Sequence, residues 1–356
     1  MKTYFYILSL IVCLFACSSP KEQQVDLSFT NDLLLPHSPI RNQGRTQTCW
    51  AYSMSSLIES EYMKSHSDTL RLSVMYAVRY KYLKQFEQYY YSKGYNEIRG
   101  GSLGHSYLRV FDEFGAIPYE VYNGHLPEAK YHDHRELMKK LRSLADEAVN
   151  QKNLSEYRRK AEQLLDEHLG EVPTQFTYKG QSFSPMSFAD SLGVRSEQYM
   201  ELTSFTHHPF YTWFVLEVPD NWEHASYYNV PLDTLESCVK QALSNGQTVV
   251  WDGDTSEDGF MSRSGVALYP HGPVTQTMRQ AEFEHYKTTD DHMMHIVGTA
   301  HDGNGKFYYL LKNSWGRRGD KQGYIYMSDD YFRAKTVSVV VPAIHVPTPH
   351  IPLISH

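Results

Sequence analysis

The sequence predicts an α+β fold made of two packed halves with a cleft between them, carrying a helical insertion. Three observations lead there. Apolar residues keep helix-compatible spacing from Cys49 to Phe114, whereas short apolar runs bounded by glycine take over from Thr248 onward. Between them, residues 127–170 change composition and become dense in Lys, Arg, Glu and Leu. Helices gathered before strands suit two packed layers rather than an alternating parallel sheet. With 356 residues, 41% of them hydrophobic, the chain can bury a large core in one or two domains.

Taken in order, Lys2 followed by the apolar run Tyr4–Ala16 reads as a signal segment, too short for a spanning helix of ~20 residues. It ends in Leu14-Phe15-Ala16-Cys17, which resembles a bacterial lipoprotein lipobox with Cys17 as the lipidated first residue of the mature chain. Phe15 departs from the smaller residue usual there, and an ordinary cleaved signal peptide is the alternative. The lipobox implies export and attachment to a bacterial membrane through the lipid. Residues 17–38 read as a tether. Helices are expected from Cys49 to about Met63, from Ser73 to Tyr91 and from Leu103 to Phe114, the last stopping at Gly115. The 127–170 insertion divides into two helices around 150–155, with Leu137, Leu141, Leu144 and Ala148 on one face and Ala161, Leu164, Leu165 and His168 on another. Its alternating charges suit a solvated surface, with a partner-binding arm as the alternative. A helix over 234–243 carries Cys238 on its apolar face. Strands follow at 248–251, 294–299, 306–312, 323–327 and 336–341, and residues 342–356 form a tail with four prolines.

Composition excludes some partners. The formal charge is −7, from 34 basic and 41 acidic residues, with no basic stripe to meet nucleic acid. Past residue 17 only Cys49 and Cys238 remain, too few for a disulfide scaffold. A bridge between them would silence the thiol discussed next.

Three stretches carry chemistry. In the first, Gln43-Gly44-Arg45-Thr46-Gln47-Thr48-Cys49-Trp50-Ala51-Tyr52-Ser53, a cysteine opens a helix. The positive helix end favours the thiolate, which is the nucleophilic form. Gln43 can reach forward and, with the Cys49 backbone N–H, hold a developing oxyanion. The second, Asp290-Asp291-His292-Met293-Met294-His295-Ile296-Val297-Gly298, supplies a general base. Its two histidines are three apart, so on a strand they point to opposite faces and one alone can meet Cys49. That spacing suits a metal on a helix better than on a strand, and no cofactor or metal is expected. The third, Tyr308-Tyr309-Leu310-Leu311-Lys312-Asn313-Ser314-Trp315-Gly316, ends a strand at Asn313, whose carbonyl can orient an imidazole while Trp315 shields the bond.

In this order the three stretches resemble the active-site signatures of papain-like cysteine peptidases: Gln-Gly-x4-Cys-Trp-Ala-x-Ser, His-x5-Gly and Asn-Ser-Trp-Gly. The resemblance implies a papain-like two-lobed fold, a helical lobe plus an antiparallel β-sheet lobe. It also implies Cys49 as nucleophile, His292 as base because it stands six before Gly298, Asn313 as orienter and Gln43 in the oxyanion hole. Gly100-Gly101, then Phe114-Gly115-Ala116-Ile117-Pro118, Thr206-His207-His208-Pro209-Phe210-Tyr211 and Asn245-Gly246-Gln247-Thr248-Val249-Val250-Trp251 resemble the bleomycin hydrolase and aminopeptidase C branch. So does Gly323-Tyr324-Ile325-Tyr326-Met327 with Asp330-Tyr331-Phe332, and the resemblance spans about 36–341, the expected peptidase domain being 39–341. Thr46 stands where secreted members usually keep a structural cysteine, which favours that branch. The stretch between Cys49 and His292 exceeds by about 100 residues the ~130–150 of simple members.

The branch implies an aminopeptidase acting on peptides through an acyl-enzyme, with the C-terminal tail reaching into the cleft. A tail lying free of the cleft is the alternative. The branch also forms a hexameric ring, which a shorter insertion puts in question, so an oligomer stays open. An endopeptidase, an acyl-transferring enzyme of transglutaminase type and a non-catalytic peptide-binding lipoprotein are the rival functions.

Overall fold

A computed structural model describes residues 27–125 and 131–347. The signal segment, Cys17 and most of the Pro-rich tail therefore lie outside the described residues. The chain opens with strand β1 (Phe29–Leu34), then three helices: α1 (Cys49–Ser65), α2 (Val74–Tyr91) and α3 (Gly104–Phe114). The insertion supplies α4 (Arg135–Gln151) and α5 (Leu154–Leu169). A hairpin of β2 (Phe176–Tyr178) and β3 (Gln181–Phe183) leads to α6 (Pro185–Ser191), β4 (Tyr199–Thr203), β5 (Thr212–Val215) and β6 (Ser226–Asn229). The second half runs α7 (Leu232–Ser244), β7 (Val249–Gly253), β8 (Phe260–Met261), β9 (Val266–Ala267), α8 (Gln276–Glu284), β10 (His292–Asp302), β11 (Phe307–Lys312), β12 (Tyr324–Ser328), α9 (Asp329–Lys335) and β13 (Thr336–Pro342).

Eleven strands form one sheet in the order β5-β6-β4-β13-β7-β10-β11-β12-β9-β8, with β1 added to β10. Pairing is antiparallel except for β4 with β6 and β9 with β12. The centre, β13-β7-β10-β11, is buried on both faces, which is why its sequence reads as unbroken apolar runs rather than alternation. One core gathers α1 to α5 against Val250, Met293, Val337 and Val340 of the sheet. A second lies on the sheet's other face, where α7 and α9 cover Trp251, Met294, Tyr309 and Val339.

The insertion is part of the first core. Leu137, Leu141, Ala145, Ala148, Ala161, Leu164 and Leu165 are buried against α2 and one another, and only the opposite faces carry the alternating charges. Leu144, expected on the same face, is only partly buried, as is His168. The short strands β4 to β6, the hairpin, α6, α8 and β1 carry no periodic signal of their own. β1 is mostly exposed and exists because β10 offers a free edge. Its approach is close: a Cβ on Gly298 would stand 2.1 Å from the Leu33 carbonyl oxygen. That contact gives a packing reason for a glycine six residues after His292.

Cys49 and Cys238 are both buried free thiols and belong to different cores, so no bridge joins them. Tail residues Ala343–His345 make a 3-10 turn before the described chain ends.

Candidate active site

Cys49 is the first residue of α1. Thr48 precedes it without a side-chain cap; its carbonyl accepts from the Ala51 N–H at 3.0 Å, so the amides of Cys49 and Trp50 are left for another acceptor. Helix α1 lies on the face of β10, and the Ser53 hydroxyl donates to the Met293 carbonyl at 2.9 Å. This sets the start of α1 against Met293, one residue from His292, and the Met293 backbone N–H favours the Cys49 thiolate. The next residue, Trp50, is fully buried and donates its indole N–H to the Gly100 carbonyl at 3.0 Å. That bond seats the Gly100-Gly101 loop beside the cysteine. A Cβ on Gly100 would strike the Thr46 carbonyl at 2.3 Å, so the loop packs this closely only with glycine. Thr46 is itself buried, donating its hydroxyl to the Gln43 carbonyl at 2.8 Å and meeting the Thr48 hydroxyl at 2.6 Å. These two bonds tie down the turn before Cys49 without a cystine.

His292 opens β10 and Asn313 follows β11. The imidazole Nε2–H donates to Asn313 Oδ1 at 2.8 Å, and both side chains are about 4% exposed. Trp315 stacks obliquely on the ring, centroids 4.5 Å apart at 30°. Ser314, which the sequence reading passed over, ties the two ends of the site together. Its N–H donates to Asn313 Oδ1 at 2.6 Å and its hydroxyl donates to Gln43 Oε1 at 2.6 Å. A backbone bond from Gln43 N–H to the Ser314 carbonyl, 2.8 Å, runs alongside. With its oxygen held in this way, the Gln43 amide keeps its NH2 as the free donor. The signal was the residue's position inside Asn-Ser-Trp-Gly, but one sequence alone cannot say that a serine there faces Gln43.

His295 lies on the other side, 1% exposed, where its Nδ1 accepts from the Ser56 hydroxyl at 2.8 Å. Ser56 in turn accepts from Lys312 at 2.7 Å, and Lys312 also reaches Ser38 at 2.8 Å. Glu59 closes this buried network, accepting from Ser38, Arg41 and the Leu72 N–H. The network anchors the end of β11 to α1, one residue before Asn313.

Burial dominates the electrostatics. It pushes the Cys49 thiol up to about 12; the Met293 N–H pulls the other way, while Asp220, Asp252 and Asp290 add to the rise. Burial also pulls His292 down to about 4, opposed by the bond to Asn313. The helix end alone favours a thiolate, but desolvation outweighs it here. A lone charge on either group is disfavoured. Passing the thiol proton to the imidazole keeps the site's net charge unchanged and creates two opposite charges that stabilise each other.

Among the described residues, one group could hold a metal ion: His207, His208 and Glu217, with ligating atoms within 4.8 Å of one another. Its hydrogen bonds point elsewhere. Gln280 Oε1 accepts from the Thr206 N–H at 2.6 Å, which turns its NH2 toward His207 Nδ1 at 3.0 Å. His207 therefore carries its proton on Nε2, facing Glu217 at 3.2 Å, and His208 meets the same carboxylate at 2.7 Å. The trio is a hydrogen-bonded clamp.

The Peptidase C1-like family model matches residues 108–355, more than half of the chain. The chain belongs to the Peptidase C1-like family. It is a cysteine-type peptidase, and the match takes in His292 and Asn313 but begins after Gln43 and Cys49. This Peptidase C1-like chain is 22% identical over 357 residues to aminopeptidase G of Lactobacillus delbrueckii subsp. lactis, covering 86% of this chain and 81% of the relative. It is 31% identical over 132 residues to human bleomycin hydrolase, covering 34% of this chain and 29% of the relative. In fold it resembles PepW of Lactobacillus rhamnosis HN001, with a TM-score of 0.71 at 17% identity over 89% of this chain and 83% of that one. The fold is papain-like, mixed α+β, with helices packed on a large and mostly antiparallel sheet.

Proposed function

We propose that the protein hydrolyses peptide bonds through an acyl-enzyme on Cys49, with His292 as acid and base and Asn313 as the residue that orients it. The observation that carries this reading is the buried 2.8 Å bond between His292 and Asn313, one residue from Met293, whose backbone N–H favours the Cys49 thiolate. His292 takes the thiol proton as sulfur attacks the carbonyl, and the new oxyanion lies between the Gln43 amide and the uncapped first-turn N–H of Cys49. His292 then protonates the leaving amine and activates water against the thioester. The relatives named aminopeptidase G and bleomycin hydrolase support removal of N-terminal residues as the form this hydrolysis takes. Attachment to a bacterial membrane through a lipid on Cys17 belongs to the same proposal, and labelled fatty acid lost on Cys17→Ala would support it.

The mature protein should cleave peptides with free N-termini, and Cys49→Ala should abolish turnover while leaving the melting temperature intact. Peptidase activity surviving in the folded Cys49→Ala protein rejects the mechanism. Cleavage of peptides with blocked N-termini at an equal rate rejects the aminopeptidase form. Transfer to an added amine in preference to water rejects hydrolysis.

A further inference from the structure

The turn before Cys49 is joined to the insertion by backbone pairing. The Arg45 N–H donates to the His132 carbonyl at 2.9 Å, and the His134 N–H donates to the Arg45 carbonyl at 3.2 Å. A Cβ on Gly44 would stand 2.2 Å from that same His132 oxygen, so the two segments approach closely. This seam and the first two turns of α4 line a cavity of about 520 Å³, a size that takes a small ligand. Gln43 lines it too, so the cavity borders the amide that faces the developing oxyanion.

The lining is cationic. Arg45, Arg135 and Arg142 contribute to it, and among the described residues no Asp or Glu does. Arg135 is spent on Asp133, which it meets through Nε at 2.9 Å and Nη2 at 2.6 Å. The other two are not spent. Arg45 stands over the Tyr131 ring, 5.9 Å from its centroid. Arg142 donates Nε–H to the Ile98 carbonyl at 2.8 Å, which fixes the guanidinium and leaves both of its NH2 groups. Among the described residues neither forms a salt bridge. A buried donor in the same wall also lacks an acceptor. His134 lines the cavity and is 3% exposed, and its Nε2 is buried with no partner among the described residues. Its Nδ1 meets the hydroxyl of the fully buried Tyr82 at 3.0 Å. Were the imidazole to donate there, the phenol proton and Nε2 would both be left over. With the phenol donating, one orphan remains rather than two, so Nε2 carries the proton.

We propose that this cavity is a substrate subsite for a carboxylate of the peptide, bound by Arg45 and Arg142 beside Gln43. A carboxylate brings acceptors and no donor, the complement of two guanidinium groups and an orphan N–H, and its plane matches the guanidinium fork. It belongs to an acidic side chain or to the peptide's own C-terminus. The inference rests on the peptidase reading and gives the insertion a part in choosing the substrate, because Arg142 lies on α4 and Arg45 on the catalytic turn.

The test is calorimetric binding to the Cys49→Ala protein of neutral, C-terminally amidated hexapeptides in which Glu replaces Gln at one position after another, and of the neutral peptide with a free C-terminus. One Glu position, or the free C-terminus, should bind roughly five-fold or more tighter than the neutral amide, as two exposed ion pairs together would give. The first result assigns the subsite to an acidic side chain and the second to the C-terminal carboxylate. Arg45→Gln and Arg142→Gln, both at exposed positions, should each lower that ratio, and together should bring it to about one. Arg45→Lys with Arg142→Lys should keep part of it. No preference for a carboxylate anywhere in the series overturns the subsite, and so does a preference that survives in the folded double Gln variant. If the Cys49 protein hydrolyses no peptide while the ratio and its loss in the variants persist, the peptidase reading fails and the subsite stands. If it hydrolyses peptides and no carboxylate tightens binding, the subsite alone fails.

Discussion

Replacing Asn313 by alanine should separate the orientation of the base from the rest of the site. The lost bond is 2.8 Å long between side chains that are each about 4% exposed, and Trp315 lies over the ring at 4.5 Å, so water has no easy route to replace it. An imidazole N–H left unpaired in such a place costs about 1–3 kcal/mol. At 1.4 kcal/mol per factor of ten, kcat for peptide hydrolysis should fall roughly 5- to 150-fold if that cost is felt in the transition state. KM should change little, because Asn313 touches the base and not the peptide. Asn313→Asp adds a second readout. A carboxylate at hydrogen-bond distance favours the imidazolium, so the His292 ring should take up a proton at a pH above its value of about 4, followed by ring NMR. A folded Asn313→Ala protein with kcat within about two-fold of the parent, together with an unmoved His292 titration in Asn313→Asp, would refute the role of this bond.

Other changes have equally direct readouts. Ser314→Ala removes the hydroxyl that holds Gln43 Oε1 and should lower kcat roughly ten-fold with the melting temperature nearly unchanged, while Ser314→Thr should restore part of it. Gly298→Ala puts a methyl 2.1 Å from the Leu33 carbonyl and should push β1 off β10, read as a lower melting temperature and faster amide exchange over 29–34. Leu141→Ala, at a fully buried position in the insertion, should cost about 2–5 kcal/mol of unfolding free energy, whereas a separate surface arm would tolerate it. Burial raises Asp290 to about 7, so relative to an ordinary aspartate its contribution to stability is fully present below pH about 4 and is lost as pH rises through about 7. Asp290→Asn does not titrate, so its stability relative to the parent should climb across that window, by an amount on the order of a few kcal/mol. A difference in unfolding free energy that stays flat from pH 4 to 8 would argue against a buried carboxyl there.

The primary structure by itself determined the parts of this protein that depend on local chemistry. The cysteine at a helix start, the two histidines of one strand and the asparagine closing an apolar run were legible because each lies inside a periodic segment with a clear end. So were α1 to α5, α7 and the central strands, whose burial on both faces leaves continuous apolar runs. Tertiary contact decided the rest. Strands β4 to β6 and β1 are too short or too exposed to be periodic, and they exist only where a neighbouring strand offers a free edge. The direction of the charge shift at Cys49 likewise followed from burial among three carboxyls, although the helix terminus alone points the other way. Ser314 behind Gln43, and the carboxyls of Asp220, Asp252 and Asp290 whose charges act on Cys49, come from positions scattered along the chain. Spacing and pattern reach only as far as one element, whereas desolvation and close approach depend on what the completed fold brings within a few ångströms.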